Sequence, residues 1–198
     1  MTYEMAFYTF QPRTLPEVEQ SLNEAVRAGN GSATGAFFRT EIGPLNQLIC
    51  VWPSSESPAD KPGPKPELPR TPEVTEHLVE TESVTLTPAP FMRPWNEPQQ
   101  LGRVYELRIY DLYPDRHDQV FANWATRIAE REAISPLAGC WVSLVPPNAH
   151  ARLYHLWPYS TLAERDELRA AAIDAGVWPT DRGQHYMRQE TRILSPLP

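Results

Sequence analysis

The 198-residue sequence contains only two cysteines, Cys50 and Cys140, which are too few for a disulfide framework. Each lies in an apolar, strand-like run, and this favours a small buried side chain over a metal ligand or a reactive thiol. The five histidines show no close ligand spacing, and no CxxC occurs, so no metal site is predicted. The GxGxxG, P-loop, GxSxG and HExxH motifs are also absent, which disfavours nucleotide enzymes, serine hydrolases of the elbow type and zincins.

The sequence also lacks a surplus of positive charge and any long hydrophobic run. Its net charge of −7 disfavours non-specific binding to nucleic acid or to anionic membranes, because both are polyanionic. No apolar run reaches the length that a membrane span requires, and no targeting segment is recognised. We therefore predict a soluble, cytoplasmic protein with neither a nucleic-acid partner nor a membrane partner.

Proline, in contrast, is abundant, with 22 residues. Many of them fall in the stretch PSSESPADKPGPKPELPRTP at residues 53–72. Because proline lacks a donor N–H and fixes φ, this stretch is predicted to be an exposed loop and not a helix or a central strand. A second proline-rich stretch, at 87–102, joins the two halves of the chain.

The two halves of the sequence resemble each other. TYEMAFYTFQP at 2–12 matches VYELRIYDLYP at 104–114. Further matches follow in the same order: Gly35 with Gly139, LICVWPSS at 48–55 with LYHLWPYS at 153–160, and ETESVTLTP at 80–88 with ETRILSP at 190–196. Ordered matches at four places indicate an internal repeat.

Each copy has the pattern strand, helix, strand, strand, helix region, strand, which is the ferredoxin-like βαββαβ motif. Helices are predicted at about 15–28, 115–133 and 162–175, and the proline-rich loop replaces the second helix of the first unit, wholly or nearly. A lone ferredoxin-like sheet leaves one apolar face bare, and two units in one chain can cover each other. The predicted fold is therefore α+β: two tandem ferredoxin-like units, 1–90 and 104–198, joined by a 91–103 linker and closed into an intramolecular, pseudo-dimeric α+β barrel.

Four segments of the second half resemble the NIPSNAP family of the dimeric α+β-barrel superfamily. They are YELRIYDLYP at 105–114, the helix that carries Trp124, HLWPYSTLAERDELR at 155–169, and ETRIL at 190–194. The resemblance covers residues 104–198 and implies the fold and the barrel. It implies little about activity, because related barrels include cofactor-free monooxygenases, haem-degrading enzymes, dehydratases and ligand-binding proteins.

Strand alternation predicts which side chains face a pocket between the second sheet and its helices. Glu106, Arg108 and Tyr110 share one face of their strand, and His155 shares a face with Trp157. The predicted catalytic set is His155 as acid/base, Arg108 as the group that stabilises an anionic oxygen, and Tyr110 as the group that orients the substrate. The predicted ligand-binding residues are Glu106, Trp124, Trp141, Trp157, Tyr159, Glu190 and Arg192.

A structural interpretation of the same residues stays open. Cross-strand ion pairs of Glu106 with Arg192, and of Arg108 with Glu190, would fix strand register. His155 would then be a hydrogen-bonded structural histidine, and the tryptophans would be core residues. Arg165 is expected to be a solvated or ion-paired residue on the face of its helix.

We therefore expect a small-molecule-binding barrel protein that works without a cofactor. The predicted activity is that of an enzyme of bacterial secondary metabolism, acting on an aromatic or carbonyl compound by proton transfer or oxygen chemistry. The alternative is a non-catalytic interaction or scaffold protein, or a degenerate paralogue whose first half only stabilises the second. A pocket of a few hundred Å³ beside Arg108 or His155 would favour the enzyme, and a filled interior with Glu106–Arg192 pairing would favour the scaffold. Homo-oligomerisation stays open.

Overall fold

The computed structural model describes residues 2–28, 35–54, 68–95, 100–145, 149–180 and 183–197. The elements follow in chain order: β1 (Thr2–Phe10), α1 (Leu15–Arg27), β2 (Ala36–Ile42), β3 (Gln47–Ser54), α2 (Pro72–His77), β4 (Leu78–Pro88), β5 (Val104–Leu112), α3 (His117–Ala125), α4 (Ile128–Ile134), β6 (Gly139–Ser143), β7 (Arg152–Tyr159), α5 (Leu162–Asp174) and β8 (Tyr186–Pro196). The βαββαβ order thus occurs twice. The residues 55–67 of the predicted proline-rich loop lie outside the described ranges.

The eight strands form one closed antiparallel barrel in the order β1-β3-β2-β8-β5-β7-β6-β4. Each half contributes four neighbouring strands, and the halves join where β2 pairs with β8 and where β4 pairs with β6. Closure pairs the sheet edges that separate units would leave open. The predicted α+β fold of two ferredoxin-like units in an intramolecular barrel is confirmed. The unit boundaries at residues 90 and 104 stay a prediction.

Alternation along the strands sends one set of side chains into the barrel and the other set outward under the helices. On β1 and β5 the inward set fills the main core: Tyr3, Met5, Phe7, Tyr105, Leu107 and Ile109. The outward face of the first half packs against α1 and α2, and that of the second half packs against α3 to α5. The helices therefore lie on the outside of the barrel, and any space beneath them is separate from the main core.

The second helix of each unit differs strongly between the halves. In the first half, α2 has only six residues; Thr71 caps it by accepting a hydrogen bond from the backbone N–H of Val74 at 3.2 Å. In the second half, α5 has thirteen residues and is capped in the same way by Thr161. Among the described residues, the helix that precedes the last strand is thus much shorter in the first half than in the second. The predicted replacement of the first unit's second helix by the proline-rich loop falls mainly on residues 55–67, outside the described ranges.

The long helix predicted at 115–133 is interrupted. It is divided into α3 and α4 by a turn at Thr126 and Arg127. The Thr126 hydroxyl donates to the carbonyl of Asn123 at 2.6 Å, and the Arg127 N–H donates to the carbonyl of Trp124, three residues back. These local bonds compete with the regular helical pattern, which explains the break.

We predict that Gly139→Ala destabilises the barrel. A Cβ at position 139 would lie 2.0 Å from the Cη2 atom of Trp141, which is fully buried and has no room to move. The free energy of unfolding should fall by about 2 kcal/mol, measured by chemical denaturation. The repeat-related control Gly35→Ala should lose less, because its nearest neighbour would lie at 3.2 Å. Equal losses at the two positions would contradict this account of packing around Trp141.

Candidate functional site

A cavity of about 400 Å³ lies between the outer face of the second half's sheet and the helices that cover it. Strands β5, β7 and β8 form its floor, and α3, α4, α5 and the segment after α5 form its walls. Its lining residues are Glu106, Arg108, Tyr110, Trp124, Arg131, Trp157, Tyr159, Arg169, Ala172, Ile173, Trp178, Pro179, Thr180, Gly183, Tyr186 and Gln189. Six residues predicted from the sequence are among them: Glu106, Arg108, Tyr110, Trp124, Trp157 and Tyr159.

Strand register brings these side chains together. In the β5–β7 pair, Glu106 lies opposite Trp157, and Arg108 lies opposite His155. Directly opposed residues of an antiparallel pair point to the same face, and here that face is the outer one. The even-numbered residues of β5 thereby point towards the helices, as strand alternation predicts.

A buried ion cluster centres on Glu106, whose side chain is only 1% exposed. Its Oε1 atom lies 2.5 Å from Arg165, 3.5 Å from Arg169 and 3.6 Å from Arg108. Arg165 and Arg169 are one turn apart on α5, so the carboxylate holds that helix against the sheet. The expectation that Arg165 is ion-paired is met, but its partner is this buried carboxylate. The other oxygen, Oε2, accepts no hydrogen bond from any residue that the structure describes.

The wall of the cavity has more positive than negative charge. Among its lining residues, Arg108, Arg131 and Arg169 face the single carboxylate of Glu106. Arg131 is 3% exposed, and its guanidinium carbon lies 4.3 Å from the centroid of the Trp157 ring. Burial lowers the pKa of Arg131, whereas its hydrogen bond with Tyr159 acts in the opposite direction. Arginine stays protonated despite such shifts, so two positive charges on this wall have no matching anion.

Aromatic rings form the remaining wall of the cavity. The ring of Trp178 packs edge-on against Trp124, with centroids 4.5 Å apart, and against Trp157 at 5.8 Å. Tyr110 and Tyr186 form a second such pair at 5.0 Å. These rings give the site flat apolar surfaces next to its arginines.

His155 lies behind this wall and not in it. The side chain is fully buried, and the rings of Tyr110 and Trp124 cover it at 4.8 and 4.9 Å between centroids. Its Nδ1 atom accepts a hydrogen bond from the indole N–H of Trp157 at 2.6 Å. Burial holds the pKa of His155 well below its ordinary value, and the charges of Arg108, Arg131 and Arg169 lower that pKa further. The prediction of direct proton transfer by His155 is therefore corrected: the neutral imidazole supports Trp157 and does not reach the cavity.

Three predicted ligand-binding residues lie elsewhere. Trp141 is inside the barrel, with its ring 5.7 Å from Tyr3 and 5.0 Å from Trp95. Glu190 and Arg192 line a different cavity, at one end of the barrel, and bond to each other at 2.6 Å. The sequence does not fix the register of β8, and it is this register that places these two residues on the inward face.

The predicted cross-strand ion pairs do not form. Arg192 lies opposite Leu107, and Glu190 lies opposite Ile109, both of which point into the barrel. Glu106 and Arg108 point outward, so a pairing of Glu106 with Arg192 or of Arg108 with Glu190 would cross the sheet. The prediction of these pairs is wrong, because it assumed a register that differs by one residue from the real one.

Sequence reasoning did not find Arg131, Arg169 and Trp178. The position of Arg169 could have been predicted, because it follows Arg165 by four residues on a helix with a recognisable cap and therefore lies on the same helix face. Arg131 follows the buried Ile128 by three residues, which places both on the same side of α4. Trp178 lies in an irregular segment, and no periodicity indicates its direction.

The sequence model of the NIPSNAP family matches residues 105–198. The second half of this chain is therefore similar to the NIPSNAP family. A NipSnap homolog of Dictyostelium discoideum is 28% identical over 179 residues, which are 89% of this chain and 77% of that protein. NipSnap homolog 1 of Danio rerio is 31% identical over 110 residues, which are 52% of this chain but only 38% of the zebrafish protein.

Solved structures share the whole fold. A candidate monooxygenase from Lactobacillus acidophilus superposes with a TM-score of 0.61 at 9% identity, over 100% of this chain and 94% of its own. A regulator of staphylococcal pathogenesis superposes with a TM-score of 0.57 at 6% identity, over the full length of both chains. Because these superpositions include both halves of this chain, the tandem barrel is a shared architecture. At these identities the likeness concerns the fold alone.

Among the residues that the structure describes, no helix has the length and apolar character needed to cross a membrane. Within the same residues, no group of three or more histidine, cysteine, aspartate or glutamate side chains is arranged to hold a metal ion.

We predict that His155 makes stability fall as the solution is acidified. The unfolded chain protonates this histidine near pH 6.5, whereas the folded protein holds it neutral, so the unfolded state gains protons first. Between pH 7 and pH 5.5 this group alone should lower the free energy of unfolding by about 1 kcal/mol, measured by denaturant titration.

The variant His155→Gln should be less stable at pH 7 but should lose this part of the pH dependence. The matched control His150→Gln, at an exposed position, should keep the full wild-type slope. An unchanged slope in His155→Gln would show that His155 takes up protons equally in the folded and unfolded states, which would contradict this prediction.

Proposed function

We propose that this chain binds a flat, anionic small molecule in the cavity of its NIPSNAP-like second half and acts on it as a cofactor-independent enzyme. The substrate class is an aromatic or carbonyl compound, and the chemistry is proton transfer or oxygen chemistry. The main support for this proposal is that Arg108 lines the cavity without a hydrogen-bond acceptor among the described residues.

Arg108 lines the cavity and donates no hydrogen bond to any residue that the structure describes. Its Nε atom is buried without a hydrogen-bond partner and lies 3.6 Å from the Glu106 carboxylate. The side chain as a whole is 18% exposed, but a buried N–H donor such as this Nε is costly to leave without an oxygen acceptor. An anionic oxygen of a bound molecule meets that need and is the acceptor that arginine holds best.

The size and the walls of the cavity support the same class of ligand. A volume of about 400 Å³ falls within the range of small-molecule sites. The rings of Trp124, Trp157 and Trp178 offer apolar surfaces to a planar group, while the arginines lie on one side. The scaffold alternative requires a Glu106–Arg192 pair, which does not form among the described residues, and it predicts no cavity beside Arg108, where one is present.

Each side chain around the cavity then has a separate role. Arg108 stabilises the anionic oxygen, and Tyr110, on the same face of β5, orients the bound ring. His155 is a positioning residue: its Nδ1 atom accepts a hydrogen bond from the indole N–H of Trp157, and this bond fixes one wall of the cavity. Arg165 and Arg169 keep α5 over the site through Glu106.

Native mass spectrometry of the full chain, purified from its own host, tests this proposal. We expect a bound small molecule that is retained by wild type and lost in Arg108→Ala. Titration with benzoate, followed by tryptophan fluorescence, should show about a tenfold or greater loss of affinity in Arg108→Ala, since a charge-assisted bond is removed.

The control variant Arg152→Ala removes an arginine that pairs with Asp111 at 2.7 Å, away from this cavity. It should bind benzoate as wild type does. Equal affinity in Arg108→Ala and wild type would contradict the proposal, and so would the absence of both a retained molecule and a fluorescence response.

A further inference from the structure

We propose that Glu106 is the residue that moves the proton in this cavity, and that the substrate is an aromatic 2-oxo acid that enolises there. The proposal rests on the proposed function, because it names the substrate class and the proton acceptor of the same site.

Glu106 is the one carboxylate among the described lining residues of the cavity. Its Oε1 atom is fixed by Arg165 and Arg169, while Oε2 accepts no hydrogen bond from a described residue. A carboxylate with one oxygen held and the other open has a defined position and an available lone pair, which is what proton abstraction requires. His155 does not compete for this role, since two aromatic rings separate it from the cavity.

The charges of the site fit an enolate better than they fit its parent ketone. Three lining arginines face one carboxylate, and two positive charges remain unmatched. A 2-oxo acid brings one negative charge on its carboxylate, and proton transfer to Glu106 moves the second negative charge from Glu106 to the ketone oxygen. The total charge stays the same, but the new charge develops on the oxygen that Arg108 contacts, and interactions that strengthen in the transition state are the ones that accelerate a reaction.

The step is a proton transfer and needs no oxidant. The C–H bond on the carbon next to the ketone breaks, and the proton goes to Oε2 of Glu106. The electron pair of that bond forms the C=C bond, and the carbonyl pair moves to the oxygen, which Arg108 stabilises. Glu106 then returns the proton to the oxygen, which gives the enol, or to the carbon, which restores the ketone.

The first half of the chain supplies a matched control. Glu4 occupies the repeat position of Glu106 and is also buried, but it accepts a hydrogen bond from the Thr85 hydroxyl at 3.0 Å. Ala6 stands where the second half has Arg108. A carboxylate without this arginine is not expected to support enolisation.

The experiment uses the full chain with phenylpyruvate as the probe. Exchange of its C3 protons is followed by NMR in D₂O, and binding is followed by tryptophan fluorescence. Wild type should accelerate exchange above the buffer rate, and Glu106→Gln should lose this acceleration by about 100-fold while still binding phenylpyruvate. Glu4→Gln should exchange as wild type does.

The variant Glu106→Asp keeps the negative charge, but its side chain is shorter by one methylene group. It should fold and bind phenylpyruvate, and it should exchange the C3 protons at least about tenfold more slowly than wild type. If Glu106→Gln does not fold, the exchange rate of Glu106→Asp tests the role of Glu106 instead. If a folded Glu106→Gln or Glu106→Asp variant exchanges the C3 protons as fast as wild type does, the inference is overturned. Arg108-dependent binding without accelerated exchange in wild type also overturns it and leaves the proposed ligand site standing, whereas absence of any bound aromatic acid overturns both.

Discussion

The apolar face of each four-stranded sheet has to be buried, and the rest of the structure depends on how this chain meets that constraint. A single ferredoxin-like unit covers one face with helices and leaves the other in water. Here the second unit lies in the same chain, so the two bare faces close on each other and form the main core. Because the barrel interior is filled by this core, the outward face beneath the helices is where the second half has room for a polar site.

The polar site carries an energetic cost that the fold alone does not explain. A carboxylate that is 1% exposed must lose its water, and three arginines around it must lose part of theirs. Apolar residues of similar volume would hold α5 against the sheet at least as well. A cluster that combines this cost with unmatched positive charge is typical of a functional site, where ionisable groups are buried in order to act on a ligand.

The sequence predicts the architecture well and the site only in part, for one physical reason. Repetition and strand alternation define which elements exist and which side chains share a strand face, so Glu106, Arg108 and Tyr110 are placed together correctly. Pairing register is a property of two strands at once, and a slip of one residue sends every side chain to the other face. For this reason Glu190 and Arg192, on β8, are found at the end of the barrel and not beside Glu106.

Residues that reach the cavity from outside the sheet are still harder to predict. Trp178 lies in an irregular segment, and its direction depends on how that segment packs over α3 and β7. For His155 the strand face is predicted correctly, but the burial of its imidazole behind the wall of the cavity is not. Alternation along a strand gives the side of the sheet, whereas the rings of Tyr110 and Trp124 decide which side chains remain within reach of a ligand.

The two halves have diverged in a way that follows from their shared barrel. Both must keep their strands, because loss of either sheet would expose the core of the other. The outward face is free of that requirement, and there the first half has Ala6 and Cys50 where the second has Arg108 and His155. Among the described residues of the first half, α2 has only six residues, whereas α5 of the second half has thirteen and carries two arginines over its carboxylate. Both halves therefore share the burial of the main core, while the cavity that contains Glu106 and its arginines lies on the outward face of the second half.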